Sequence, residues 1–247
     1  MRLAVPKETV PGEKRVALVP EVIPQILKLG HTVVVEAGAG TCAGLTDEAY
    51  SAAGASIVSD PAAVYTGADI VLKVQRPSDE GANNELDAIP SGSLLIGLLQ
   101  PSSDPEFFAR AAEHGITAVS MELVPRTTRA QMMDALSSQS TVAGYKAVLL
   151  AANALPKFFP MLMTAAGTVR PARVLVIGAG VAGLQAIATA RRIGAVVEAF
   201  DTRPVVKEQV QSLGATFIEL ELGAHDAEDA GGYAKELAEE HIRKEKE

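Results

Sequence analysis

The sequence predicts an α/β protein built as two domains with mainly parallel sheets, and three observations predict it. The first is a recurring junction in which a helix-like segment closes on a Gly and a β-branched run follows at once. It occurs at Gly30 before Thr32-Val33-Val34-Val35, at Gly54 before Ala55-Ser56-Ile57-Val58 and at Gly67 before Asp69-Ile70-Val71-Leu72. It returns at Gly115, Gly194 and Gly214. Gly tolerates the left-handed conformation that ends a helix, whereas Val, Ile and Thr suit a pleated strand. Helices alternating with short apolar strands imply β-α-β crossovers, hence parallel pairing. The second observation is a change of texture from Pro125 to Gln139, polar, rich in Arg and Ser and without strand alternation, which reads as an inter-domain loop. The third is length: 247 residues, at roughly 100–200 residues per domain, suit two cores.

Taken in order, the strands of the first sheet are expected at 3–5, 32–36, 56–58, 69–74, 94–98 and 116–120. Pro20-Glu21 opens the helix that ends at Gly30, and Thr46 caps a segment running through Ala53. Ser103 or Asp104 caps a helix with Pro105 at its first position and Glu106 in its first turn. Beyond the loop, helical material is expected to about residue 162. A second α/β unit follows from Arg173, with strands at 174–177, 196–200 and 216–220, and a charged helix at 234–247 ends the sequence. Those three strands amount to one βαβαβ half of a doubly wound sheet, so the second domain is expected to be incomplete and truncated at its C-terminus. The domains are set at 1–137, which takes in the loop 125–139, and at 138–247.

Composition excludes several function classes. With 22 Lys+Arg against 30 Asp+Glu the net charge is −8, which disfavours a broad basic face for nucleic acid or an anionic membrane. A lone Cys42 rules out an intrachain disulfide framework and fits a reducing compartment; it is expected to be buried or half-buried and inert. No apolar run reaches the roughly 18 residues of a spanning helix, and the N-terminus meets charge and proline too early for a secretory signal. His31, His114, His225 and His241 are scattered without ligand spacing, so no metal site is expected. No G-x-S-x-G elbow occurs, and nothing places a base near Ser137-Ser138.

The strongest local motif is Val174-Leu175-Val176-Ile177-Gly178-Ala179-Gly180-Val181-Ala182-Gly183. It is a G-x-G-x-x-G placed after a buried-strand pattern and opening a helix at 181–193. Gly178 permits the tight turn, Gly180 lets a diphosphate approach the backbone, and Gly183 lets helix and strand close on each other. The helix N-terminus then presents N–H groups and a positive dipole end to phosphate. Asp201 lies 18 residues beyond Gly183, at the end of the next strand. A carboxylate there accepts ribose hydroxyls and repels a 2′-phosphate, which selects NAD(H). Arg203 complicates this, since an Arg nearby can hold a 2′-phosphate; the simpler reading makes it a solvated loop residue. Both domains are therefore read as Rossmann-like. The loop segment adds Arg126, Arg129, Gln131, Asp134 and Ser137, polar groups placed where two domains meet and ligands commonly sit; an exposed loop with an internal Arg–Asp pair is the equal alternative.

Several segments together resemble the alanine dehydrogenase/pyridine nucleotide transhydrogenase family. They are Pro6-Lys7-Glu8, Gly12-Glu13-Lys14-Arg15-Val16-Ala17-Leu18, Arg126…Arg129-Ala130-Gln131-x-x-Asp134-x-Leu136-Ser137-Ser138-Gln139, and Gly144-Tyr145. The glycine loop, Asp201-Thr202-Arg203, the run Lys207 to Gly214 and Ala230-Gly231-Gly232-Tyr233-Ala234-Lys235-Glu236 extend the resemblance over the whole sequence. The loop motif and the last two segments are similar to the transhydrogenase branch in particular. The resemblance implies a dimeric, peripheral NAD(H)-binding component on the cytoplasmic face of a bacterial inner membrane. Such a component passes hydride to NADP(H) on a separate domain III and is coupled to protons through a membrane-embedded domain II. It implies that Arg126, Gln131, Asp134 and Ser137 position the nicotinamide ring. Gly178, Ala179, Gly180, Val181, Gly183, Asp201, Thr202 and Arg203 would then hold the nucleotide, and Tyr233 would lie on a loop folding over it.

The alanine dehydrogenase branch uses a substrate-binding Arg, a Lys and a catalytic His. Arg15 and Lys73 are candidates for the first two, but Leu99-Gln100-Pro101 stands where the His would fall. Oxidising an amino acid needs a group to take its proton, whereas hydride exchange between two nicotinamides needs only close, oriented rings and little water. Arg15 and Lys73 are accordingly expected to be structural. An amino-acid dehydrogenase and a non-catalytic nucleotide-binding module stand as the alternatives.

Overall fold

The six Gly-to-strand junctions all turn as their residues require: Gly30, Gly54, Gly67, Gly115, Gly194 and Gly214 take φ between 64° and 100°. This is seen in a computed structural model that describes residues 1–79 and 84–219. The chain divides into two units, Met1–Met133 and Asp134–Glu247. The division lies ahead of the 137/138 boundary expected from the sequence, because Asp134 caps the long helix that opens the second unit.

The first unit runs β1 (Arg2–Val5), α1 (Ile23–Lys28), β2 (Thr32–Glu36), α2 (Asp47–Ala52), β3 (Ser56–Val58), α3 (Pro61–Tyr65) and β4 (Ile70–Gln75). It continues through β5 (Leu94–Leu98), α4 (Pro105–Glu113) and β6 (Thr117–Ser120). Every strand pairing is parallel, and the order is β3-β2-β1-β4-β5-β6. The connection therefore reverses direction between β1 and β4, the switch point of a doubly wound sheet. Both faces are covered, as parallel sheets require: Val34 packs with Val71, Leu95 and Phe107 on one side, while Val33 and Val35 pack with Ile23 and Tyr50 on the other. Thr46 accepts the Ala49 N–H, and Asp104, not Ser103, caps α4 by accepting the Phe107 N–H at 3.1 Å.

The second unit holds α5 (Ala135–Ala154), a hairpin of β7 (Leu162–Thr164) and β8 (Gly167–Val169), then β9 (Arg173–Ile177), α6 (Val181–Arg192), β10 (Val196–Phe200), α7 (Lys207–Ser212) and β11 (Thr216–Phe217). The last three strands form a parallel sheet in the order β11-β10-β9. Two expectations are corrected. Helix α5 ends at Ala154, not near 162, because Leu155 turns extended ahead of Pro156 and residues 162–169 form an antiparallel hairpin. Cys42 is exposed, not buried, since its short 3-10 turn, Thr41–Ala43, runs over the surface before left-handed Gly44. Among the described residues no helix is long and apolar enough to cross a membrane. The charged helix expected at 234–247 lies outside the described residues.

Candidate nucleotide site

Strand β9 delivers Ile177 to the glycine turn. The Gly178 N–H donates to the Phe200 carbonyl at 2.8 Å, tying the start of the turn to the end of β10, and its φ of 92° is one that a side chain resists. A Cβ placed on Gly183 would fall 1.8 Å from the Gly178 oxygen, so helix and turn close on each other only without a side chain. Gly180 differs. Its φ of −75° is ordinary, and a Cβ there would meet nothing nearer than the Arg203 guanidinium at 4.0 Å. The fold itself has no use for glycine at that position; a group approaching the backbone from outside does. Gly180 is also the N-cap of α6, and that end has no side-chain cap. A helix N-terminus with free donors and a bare approach is suited to an anion. Ala179 is buried and Val181 stands exposed at the first helical position.

Asp201 follows β10 and turns its carboxylate onto this loop. Oδ2 accepts the Ala179 N–H at 2.6 Å and Arg203 Nη2 at 3.0 Å; Oδ1 accepts the Arg203 N–H at 2.8 Å and Arg203 Nε at 3.0 Å. Burial pushes the carboxyl up, but the Arg203 side chain, the two N–H groups and the guanidinium charge outweigh it and hold it below its ordinary value. Asp201 is thus a fixed anion. The reading of Arg203 as a solvated loop residue is overturned: its side chain is 13% exposed and ion-paired. Opposite charges two residues apart at a strand end were the available signal. Thr202 lies half-buried between them.

The loop residues fall into two groups. Arg126 and Gln131 are exposed in the first unit, where Thr127 O accepts the N–H groups of Ala130 and Gln131 and Ala130 is buried. Asp134 and Ser137 come together in the second unit: Asp134 Oδ1 accepts the Ser137 N–H at 2.9 Å and so caps α5. Helix α5 in turn packs on α6 at a point that no sequence motif marks. A Cβ on Gly144 would stand 2.0 Å from the Ala182 oxygen, so α5 reaches the first turn of α6 only because residue 144 is glycine. Tyr233 lies outside the described residues.

At the switch point of the first unit the polar groups satisfy one another. Glu8 accepts the N–H groups of Val74 and Gln75 at 2.6 and 3.2 Å, and Lys7 N donates to Glu36 at 2.8 Å. The Lys73 ammonium, fully buried, lies 2.5 Å from Glu85 and 3.9 Å from Glu8. Glu85 also accepts from Thr9, Tyr65 and the Ser78 N–H. Burial pushes Glu8 up despite Lys73, while Arg15 draws Glu13 down to about 2. Glu13 holds Arg15 through Nε at 2.8 Å and Nη2 at 2.6 Å. Gln100 takes a φ of 54°, its N–H and that of Leu99 both donating to Glu122.

A family model described as Alanine dehydrogenase/PNT, N-terminal domain, matches residues 4–143, and its C-terminal counterpart matches residues 147–246. The chain belongs to the alanine dehydrogenase/PNT family. Within that family it is 52% identical over 249 residues to an NAD(P) transhydrogenase subunit alpha of Rhodospirillum rubrum, matching 100% of this chain and 65% of that protein. It is 35% identical over 206 residues to alanine dehydrogenase of Bacillus subtilis, matching 81% of this chain and 52% of that one. The chain thus spans less than two thirds of the length of these relatives. The transhydrogenase structure from Sinorhizobium meliloti superposes with a TM-score of 0.84 at 49% identity, over 90% of this chain and 62% of that chain. An L-alanine dehydrogenase structure superposes with a TM-score of 0.75 at 28% identity, over 88% and 60%. The alanine dehydrogenase/PNT assignment accords with the parallel α/β architecture of both units.

Proposed function

We propose that this protein is the NAD(H)-binding component of an NAD(P) transhydrogenase, exchanging hydride with NADP(H) on a partner domain while a membrane partner moves protons. The observation that carries the reading is the bare Gly180 at an uncapped helix N-terminus beside the ionised Asp201. The nicotinamide group, when bound, supplies the carbon that gives or takes hydride. Gly178, Ala179, Gly180, Val181 and Gly183 receive the diphosphate, and Asp201, Thr202 and Arg203 the adenosine sugar. Arg126, Gln131, Asp134 and Ser137 orient the nicotinamide ring, and Tyr233 covers it. Such a transfer needs orientation and exclusion of water, with no proton acceptor. The similarity to transhydrogenase alpha subunits supports a homodimer on the cytoplasmic face of the membrane, working with a membrane-embedded domain II and an NADP(H)-binding domain III.

The amino-acid dehydrogenase reading is weakened by one arrangement. Arg15 and Lys73, the cations that a substrate carboxylate would engage, are matched by Glu13 and Glu85. A bound carboxylate would have to displace carboxylates already in place, at a cost typical of breaking buried pairs. The test is to mix the protein with NADP(H)-loaded domain III and follow cyclic hydride exchange. Exchange is expected; NAD reduction by alanine, without any partner, would decide for the dehydrogenase. Tight NADH binding with no exchange would leave a binding module.

A further inference from the structure

Resting on the NAD(H) reading, we propose that Arg203 is a specificity-determining residue that competes with the adenosine ribose for Asp201. A carboxylate offers about four acceptor positions, and at Asp201 four donors engage them. Two of the donors, Ala179 N–H and Arg203 N–H, belong to the backbone and are fixed by the fold. The other two, Nε and Nη2 of Arg203, sit on a rotatable side chain, one on each carboxylate oxygen. A ribose brings two hydroxyl donors. The exchange is therefore two for two: the sugar seats itself on Asp201 when the guanidinium gives way, while the backbone donors keep the carboxylate aimed.

Where the guanidinium lies sharpens the point. Its Nη2 is the nearest atom to a Cβ built on Gly180, at 4.0 Å, so it stands over the surface through which a diphosphate approaches. Displaced from Asp201, it remains tethered by a neighbouring backbone bond and stays beside the sugar's 2′ position. A planar, doubly donating cation is a good partner for a 2′-phosphate. Asp201 alone would attract a ribose and repel a 2′-phosphate; with Arg203 beside it, both effects are muted. Arg203 thus weakens NADH binding and softens the rejection of NADPH, two consequences of one ion pair with opposite signs for the two nucleotides.

The opposite signs make the test. Titrating purified wild-type protein and Arg203→Met with NADH and NADPH by calorimetry, NADH is expected to bind about tenfold more tightly to the variant, the scale of a largely buried pair released. NADPH is expected to bind more weakly, because Asp201 then faces the 2′-phosphate uncompensated. Arg203→Lys, which keeps the charge but lacks the fork, should fall between on NADH and near wild type on NADPH. Loss of folding support would weaken both nucleotides together, and that result, or no change in either, would overturn the inference while leaving NADH binding intact. A wild-type protein that binds no NADH would overturn the nucleotide reading and this inference with it.

Discussion

The two units place the same strand order, third-second-first, around their leading strands, β1 and β9, yet finish those strands in opposite ways. After β9 the backbone turns through three glycines and enters α6 at once, so the helix N-terminus stands at the end of the sheet. After β1 it runs through Pro6-Lys7-Glu8 and a long loop, with no α-helix before Ile23. The free N–H groups at the first unit's switch point are taken by its own carboxylates, Glu8 and Glu36, with Glu13 and Glu85 close behind. At the second unit one carboxylate, Asp201, braces the turn and the helix has no side-chain cap. Shared topology brings strand ends together; the length and residue type of the first crossover decide whether that place attracts an anion or fills itself with acids.

The sharpest way to break this contrast is inside the glycine turn. Gly183→Val drives a side chain into the Gly178 carbonyl and should abolish NADH binding along with the packing of the second unit. Gly180→Ala has room for its Cβ and should fold normally while still losing NADH affinity by calorimetry; unchanged affinity would remove the diphosphate from that turn. Next in size, Lys73→Met strands Glu85 and Glu8 beside each other. It should destabilise the first unit by about 3–5 kcal/mol, as for a broken buried pair, in urea unfolding, with NADH affinity preserved. A smaller effect belongs to Asp201→Asn, which should weaken NADH binding by about 1–3 kcal/mol, the worth of a charge-assisted hydrogen bond, and narrow the margin over NADPH.

The smallest effect concerns acid. Glu13 sits near 2, below its ordinary 4.5, mainly through the hydrogen bond from Arg15. A lowered carboxylate contributes stability that is full above the ordinary value and is lost as pH falls through the lowered one. Between about pH 4.5 and 2 the first unit should therefore lose some of its stability through Glu13. Glu13→Gln should flatten that portion of the unfolding profile; an identical acid limb would mean that the Arg15 contact contributes nothing to stability.

Much of the architecture was legible because its signals are local. β2, β3, β5 and β10 begin and end where the β-branched runs do, and Thr46 and one of the pair Ser103/Asp104 cap as their spacing implies. The hairpin at 162–169 was not legible: its strands are three residues long and exposed throughout, so they carry no alternation. Cys42 escaped for the related reason that a surface turn leaves little trace in composition. Lys73 and Glu85 gave no sign of each other, since they lie 12 residues apart and only the return from β4 joins them.

By itself, the sequence determined the alternation of helix and strand, the parallel sheets, the glycine turn and the acid that follows it. Each depends on the conformational preference of a residue and its near neighbours. Only the tertiary structure decided that Gly144 admits α5 to α6, that Arg203 rests on Asp201, and that the first unit's switch point is closed by its own carboxylates. Those outcomes depend on which side chains share a few cubic ångströms once distant strands have paired, and the order of residues holds no record of that distance.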